Sequence, residues 1–256
     1  MMAVWRSRLN ACANDSGLKN RSMKKGYFIT GTDTSIGKTF VSCALLQAFA
    51  DKGHRVGAMK PIAAGCEQTV DGWQNDDALQ LMRHSNIELS YRQVNPIALP
   101  SPIAPHLAIE HMQGTVNIKK LATHFAQIKM SADYFIVEGA GGWQVPLNSD
   151  ESMADIPQAF GLEVILVVGI RLGCLNHALL SAAAIEQSGN HLAGWVANII
   201  DPNTLMIEKN ILTLKNKIGA PLLGVLPHMD TKEIRAASQR LDVGLLLSLN
   251  PAQKPF

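Results

Sequence analysis

The first segment able to do chemistry is Gly31-Thr32-Asp33-Thr34-Ser35-Ile36-Gly37-Lys38-Thr39. It lies between a short β-rich run, Tyr27-Phe28-Ile29-Thr30, and a stretch over residues 39–50 whose apolar positions recur at helical spacing. A loop that closes on a helix N-terminus turns backbone N–H groups toward phosphates. Here those groups come from Asp33, Thr34, Ser35, Ile36 and Gly37. Lys38 is then placed for the β- and γ-phosphates, and the Thr39 hydroxyl for a magnesium ion. The strict pattern GxxxxGK[ST] is not met. Thr32 stands where its first glycine is expected, and Gly31 lies one place early.

Lys60, in Lys60-Pro61-Ile62-Ala63-Ala64-Gly65, ends a strand-like run over residues 55–61. A lysine at a strand's carboxyl end beside a phosphate loop stabilises charge developing on a transferring phosphoryl group. Taken alone it also reads as a solvated surface lysine. Asp77 begins a helical stretch over residues 77–84 and, taken alone, reads as an N-terminal capping-type acid. Glu138 follows Phe135-Ile136-Val137 and precedes Gly139-Ala140-Gly141-Gly142. An acid at that strand end belongs near the phosphates as a magnesium ligand. The small residues after it let the backbone approach a ligand closely.

The elements that must hold these groups alternate along the chain. Strand-like runs occupy residues 133–138, 162–170, 192–200 and 221–226, besides the two named above. Helical patterns cover residues 119–130, 174–188 and 204–218. Residues 95–105 carry Pro96, Pro100, Pro102 and Pro105 and read as mostly irregular. Residues 162–170 are apolar without alternation, as in a parallel strand covered on both faces. The fold class is therefore α/β, a doubly wound, mainly parallel sheet of P-loop NTPase type in a single domain. In such sheets ligands gather at the strands' carboxyl ends, where each polar cluster falls.

Composition excludes several other readings. Of 256 residues 47% are apolar and 17% charged, which describes a compact globular protein and not a disordered one. The net charge of +2, with no basic run beyond Lys24-Lys25, argues against a nucleic-acid partner. The longest apolar run, over residues 164–170, is far short of the roughly 20 residues a membrane helix needs, so no membrane partner is expected. Cys12, Cys43, Cys66 and Cys174 show no CxxC spacing and read as free thiols in a reducing cytosol. Residues 1–22 lack the apolar centre of an export signal and read as a disordered extension before a domain over residues 23–256. The stretch over residues 240–249 could be an amphipathic membrane helix, but Gly244 interrupts it, and packing against the sheet is the expectation.

Thr30-Gly31-Thr32-Asp33-Thr34 followed by Gly37-Lys38-Thr39 resembles the phosphate loop of dethiobiotin synthetases. KPxAxG at Lys60, NxDAL at Asn75, VEGAGGW at Val137, the stretch over residues 169–177 and Gly194-Trp195-Val196-Ala197-Asn198 extend the resemblance in order over residues 25–227. Partition and cell-division ATPases of related fold carry a second lysine where this chain has Asp33. The resemblance implies ATP as cosubstrate and magnesium held by Thr39, Asp77 and Glu138. It also implies phosphate and carbamate contacts from Lys38, Thr34 and Lys60, adenine read by Asn198, and Pro227 near the base.

The implied reaction joins 7,8-diaminononanoate and carbon dioxide or bicarbonate into a cyclic urea. The substrate lies along Thr34, Lys60, Ala64 and Gly141, and its carboxylate meets Gly173, Cys174, Leu175 and Asn176 of a neighbouring subunit. A cytoplasmic homodimer with its substrate site at the interface follows. Two positions depart from the family pattern, which often has serine in place of Ala64 and an acid in place of Ser35.

Overall fold

The computed structural model describes residues 25–248, so the expected extension over residues 1–22 lies outside the described part. Chain order begins β1 (Lys25–Gly31), α1 (Lys38–Asp51), β2 (Val56–Met59), β3 (Ile62–Ala64), β4 (Glu67–Thr69), β5 (Gly72–Gln74) and α2 (Asp76–His84). It continues with α3 (Tyr91–Val94), β6 (Ile97–Leu99), α4 (Pro105–His111), α5 (Ile118–Ile128), β7 (Tyr134–Glu138) and α6 (Asp155–Phe160). The last third holds β8 (Glu163–Ile170), α7 (Cys174–Gln187), β9 (Leu192–Ile199), α8 (Ile207–Lys217), β10 (Leu222–Leu226), α9 (Ile234–Ser238) and α10 (Gly244–Ser248).

The six long apolar strands form one sheet in the order β10-β9-β8-β1-β7-β2, every neighbour parallel. From β1 the chain passes through α1 to β2 on one flank and returns to β7. It then crosses to β8 on the other flank and continues outward. Neighbouring connections therefore diverge at β1, and the crevice at its carboxyl end is where such sheets bind ligands.

The pleat of β1 explains the two layers. Tyr27 and Ile29 face a core shared with α1, α9 and α10, while Phe28 faces a second core shared with α5, α6 and α7. Both faces are covered, which is why residues 164–170 are buried in succession with no polar alternation. Helix α1 is buried almost all round, including Cys43 at 0% exposure. It is the helix behind the phosphate loop, and it packs on β1, β2 and β7 as well as on α2 and α9.

Some sequence expectations need correction. Residues 95–105 are mostly irregular, as expected, but they also hold Ile97–Leu99, which pairs in parallel with Ile62–Ala64 as a separate two-stranded sheet. Its prolines flank the strand, where a missing N–H removes no ladder bond. The strand expected over residues 55–61 ends at Met59, so Lys60 begins the following turn. Helices α4 and α6 and the hairpin β4–β5 were not anticipated; each is too short to give a periodic signal. Leu241, Val243 and Leu246 pack in the α1-side core, as expected for the C-terminal stretch among the described residues. No helix among the described residues is long and apolar enough to cross a membrane.

Candidate active site

The loop after β1 explains its own displaced glycine. A Cβ on Gly31 would lie 2.7 Å from Ile36 Cδ1 and 3.1 Å from Lys38 Cδ, so the strand end must be bare where the loop folds back over it. Thr32, where the usual pattern has glycine, instead continues the sheet. Its N–H donates to the Val167 carbonyl at 3.0 Å and its hydroxyl accepts from the Gly169 N–H at 3.4 Å. Ser35 at φ 56° and Gly37 at φ 83° both adopt left-handed backbone, the kind of turn conformation from which anion-binding nests of N–H groups are built. The Lys38 ammonium donates to the Asp33 carbonyl at 2.7 Å. Asp33 also accepts from Arg171 at 2.5 Å, tying the loop to the turn before α7.

Gly37 tolerates no side chain. A Cβ there would collide with the Asn198 amide nitrogen, which donates to the Ile36 carbonyl at 2.8 Å and straps the loop to β9. Gly37→Ala is expected to raise the Kd for ADP by about tenfold or more, since left-handed alanine alone costs roughly 1–2 kcal/mol. Calorimetric titration checks this, and an unchanged Kd removes the argument.

Lys60, Asp77 and Glu138 come together at the mouths of β2, α2 and β7. The Lys60 ammonium lies 2.7 Å from Asp77 Oδ2 and 2.6 Å from Glu138 Oε1. Glu138 is fully buried and Lys60 nearly so, whereas the Asp77 carboxylate is half exposed toward the cleft. Thr39 Oγ1 donates to Glu138 Oε1 at 2.9 Å, and Ser42 Oγ to Glu138 Oε2 at 2.8 Å. Burial opposes the Lys60 charge, but Glu138 and Asp77 together push its pKa above the usual lysine value. Burial likewise opposes ionisation of Asp77, yet Lys60 holds its carboxyl below the usual range. The bland reading of Lys60 as a solvated lysine is thereby excluded. Asp77 is not the helix cap either, because Asn75 caps α2 and its side chain accepts from the Ala78 N–H.

Burial is the larger influence on Lys38 and lowers its pKa to about 8, with partial relief from Glu138. A bound polyanion favours the charged form, so nucleotide binding above that pH must take up a proton. Affinity for ADP is expected to be flat below pH about 8 and to fall by up to tenfold per unit above it. Titration at pH 7 and pH 9 in buffers of different ionisation enthalpy measures both effects. A pH-independent Kd without proton uptake contradicts them.

These groups line a cleft of about 780 Å³ that also receives Thr34, Ser35, Ala64 and Gly141. Its lining also includes the apolar Pro102, Ile103, Pro105 and Val145. Thr39, Asp77 and Glu138 offer hard oxygens. That set fits magnesium, which keeps several waters and takes further ligands from phosphates.

Other expected residues lie outside the cleft of this chain. Asn198 is buried behind the loop, Ile36 is buried beneath it, and Asp33 sits on its outer side. Pro227 does not line the cleft. Nor do Gly173, Cys174, Leu175 and Asn176, which form the start of α7, with Gly173 as its left-handed N-cap.

Sequence reading missed a buried network that carries Lys60 and Asp77. Asn95 Nδ2 donates to the Lys60 carbonyl at 2.7 Å, and Tyr91 Oη donates to Asn95 Oδ1 at 2.9 Å. The Asn75 N–H donates to Tyr91 Oη at 2.7 Å, and its Nδ2 to the Ala64 carbonyl at 3.2 Å. Only Asn75, directly before an acidic helix start, had a local signal as a cap.

The AAA domain family model matches residues 25–233. An ATP-dependent dethiobiotin synthetase of Cellvibrio japonicus is 46% identical over 224 residues, covering 88% of this chain and 98% of that relative. The chain belongs to the dethiobiotin synthetase family. A second dethiobiotin synthetase, from Nitrosospira multiformis, is 48% identical over 221 residues, covering 86% of this chain and 96% of the relative.

Solved structures show the wider fold. The MinC:MinD cell division complex of Aquifex aeolicus superposes with a TM-score of 0.56 at 15% identity, covering 91% of this chain and 98% of that one. MinD of Pyrococcus horikoshii, complexed with Mg-ADP, gives 0.51 at 18%, covering 88% and 89%. At such identity only the P-loop architecture is shared. This chain therefore has the P-loop NTPase fold.

Proposed function

We propose that the protein is an ATP-dependent ligase of biotin biosynthesis that closes 7,8-diaminononanoate and carbon dioxide into dethiobiotin, releasing ADP and phosphate. The observation that carries the reading is the meeting of the phosphate loop, Lys60, Asp77 and Glu138 at one cleft in a chain of this family.

In this mechanism a free amine attacks carbon dioxide. An alkylammonium has a pKa of about 10.4, and like-charge repulsion in a vicinal diamine helps one nitrogen lose its proton. The carbamate oxygen attacks the γ-phosphorus of ATP in line, ADP leaves, and a carbamic-phosphoric anhydride remains. The second amine then attacks the anhydride carbon, phosphate leaves, and the urea ring closes. Magnesium, bound through Thr39, Asp77 and Glu138, would neutralise phosphate charge. Lys38 and Thr34 hold the phosphates, and Lys60 offsets negative charge on the carbamate and the transferring group. Backbone groups of Asp33, Ser35, Ile36 and Gly37 complete the cradle.

The diamine lies along Ala64 and Gly141. Its carboxylate reaches Gly173, Cys174, Leu175 and Asn176 at the N-terminus of a second copy's α7, where backbone N–H groups suit an anion. The enzyme is then a homodimer, placed in the cytoplasm, with residues 23–256 as its domain. Asn198 and Pro227 lie on the base side. Incubation with the diamine, bicarbonate and Mg-ATP should give the urea by mass analysis, with phosphate release that requires the diamine. Phosphate release independent of the diamine refutes the reading.

A further inference from the structure

Glu138 is fully buried, and its two oxygens are held by different groups. Oε1 accepts from Lys60 Nζ at 2.6 Å and from Thr39 Oγ1 at 2.9 Å, the residues proposed to work on phosphates and metal. Oε2 accepts from Ser42 Oγ at 2.8 Å. Ser42 is itself 0% exposed and lies three residues after Thr39 on α1, so both hydroxyls project from one helix face toward the end of β7. A helical serine commonly turns its hydroxyl back to the carbonyl one turn earlier. That of Ser42 goes instead to a carboxylate from the far side of the sequence.

We propose that Ser42 is a positioning residue: its hydroxyl pins Glu138 Oε2 and so fixes the carboxylate rotation that presents Oε1 to the metal-nucleotide. The χ3 torsion of a glutamate is broad and roughly two-fold. Three donors on two oxygens remove that freedom, and Ser42 is the donor on the side away from Lys60 and Thr39. Side chains that orient a ligating group in this way typically change metal affinity by 10–100-fold when removed. A hydroxyl present only to satisfy a buried acceptor would change stability and leave the metal step alone. The proposal rests on Glu138 serving as a metal ligand.

The test measures binding, so it does not depend on turnover. Mn2+ is titrated into the ADP-saturated protein by electron paramagnetic resonance, ADP alone is titrated without metal, and the unfolding temperature is recorded. Wild type should bind Mn2+; if it does not, the magnesium reading of Glu138 fails first. Ser42→Ala is expected to weaken Mn2+ by about tenfold while leaving metal-free ADP affinity within about twofold. Ser42→Cys keeps the side-chain volume but has a weak donor, and it should shift the Mn2+ Kd in the same direction with less loss of stability. An Mn2+ Kd within twofold of wild type in either folded variant overturns the proposal. So does equal weakening of ADP with and without metal, which would make Ser42 a packing residue.

Discussion

Lys60→Ala is expected to lower turnover by about 10²–10³-fold, the usual loss when one preorganised electrostatic contact is removed. The ammonium is buried between two carboxylates, 2.7 Å from Asp77 and 2.6 Å from Glu138, so its charge acts in a region poorly screened by water. Its pKa is raised, so it stays a cation across any working pH and shows no titration of its own. Lys60→Arg should not restore activity, because the larger planar guanidinium does not fit a nearly closed site shaped around an ammonium. Single-turnover measurement at saturating ATP and diamine separates this loss from binding. A near-wild-type rate for purified Lys60→Ala removes its assigned role.

The second large effect falls on stability. Glu138→Gln keeps the shape of the side chain but leaves the buried Lys60 ammonium paired only with the half-exposed Asp77. Breaking a buried pair from one side typically costs about 3–5 kcal/mol. Because Asp77 remains, a loss of about 3 kcal/mol is expected, a large share of the roughly 5–15 kcal/mol of an ordinary domain. The double variant Lys60→Met/Glu138→Leu carries no stranded buried charge and should be more stable than Glu138→Gln, though inactive. Urea unfolding of the three proteins checks the order. Equal stability of wild type and Glu138→Gln shows that the pair contributes little to folding.

Residue type and spacing alone gave the parts that depend on local chemistry. Gly37-Lys38-Thr39 between a β-rich run and a periodic helix could be read because loop, helix start and phosphate chemistry lie within a few residues of one another. Unalternating apolar strands separated by helices implied a parallel sheet covered on both faces, as β8 and β1 show. Motif order over residues 25–227 implied the family, and close relatives bear that out. The short elements were not legible. β6 lies in a proline-rich stretch and α4 directly follows it; the pairing of β6 with β3 and the packing of α4 on β3 are tertiary contacts that no local pattern encodes.

Tertiary structure alone decided the state of each charged residue and what holds it in place. Lys60 and Glu138 are 78 residues apart and Thr39 and Glu138 are 99 apart, so no spacing rule could say that they share one carboxylate oxygen. Lys60 had a bland surface reading until its burial excluded it, and Asp77 one as a capping acid until Asn75 took the cap and Lys60 came within 2.7 Å. Neither Ser42 nor Asn95 carries a local signal for its contact. Only the sheet order, which sets β1 beside β7 and β2 beyond it, brings the ends of those strands to α1 and gives both side chains their partners. Sequence determines which groups are available and the period of the elements that carry them. Folding decides which charges lose water, and that desolvation makes a few short contacts strong enough to matter.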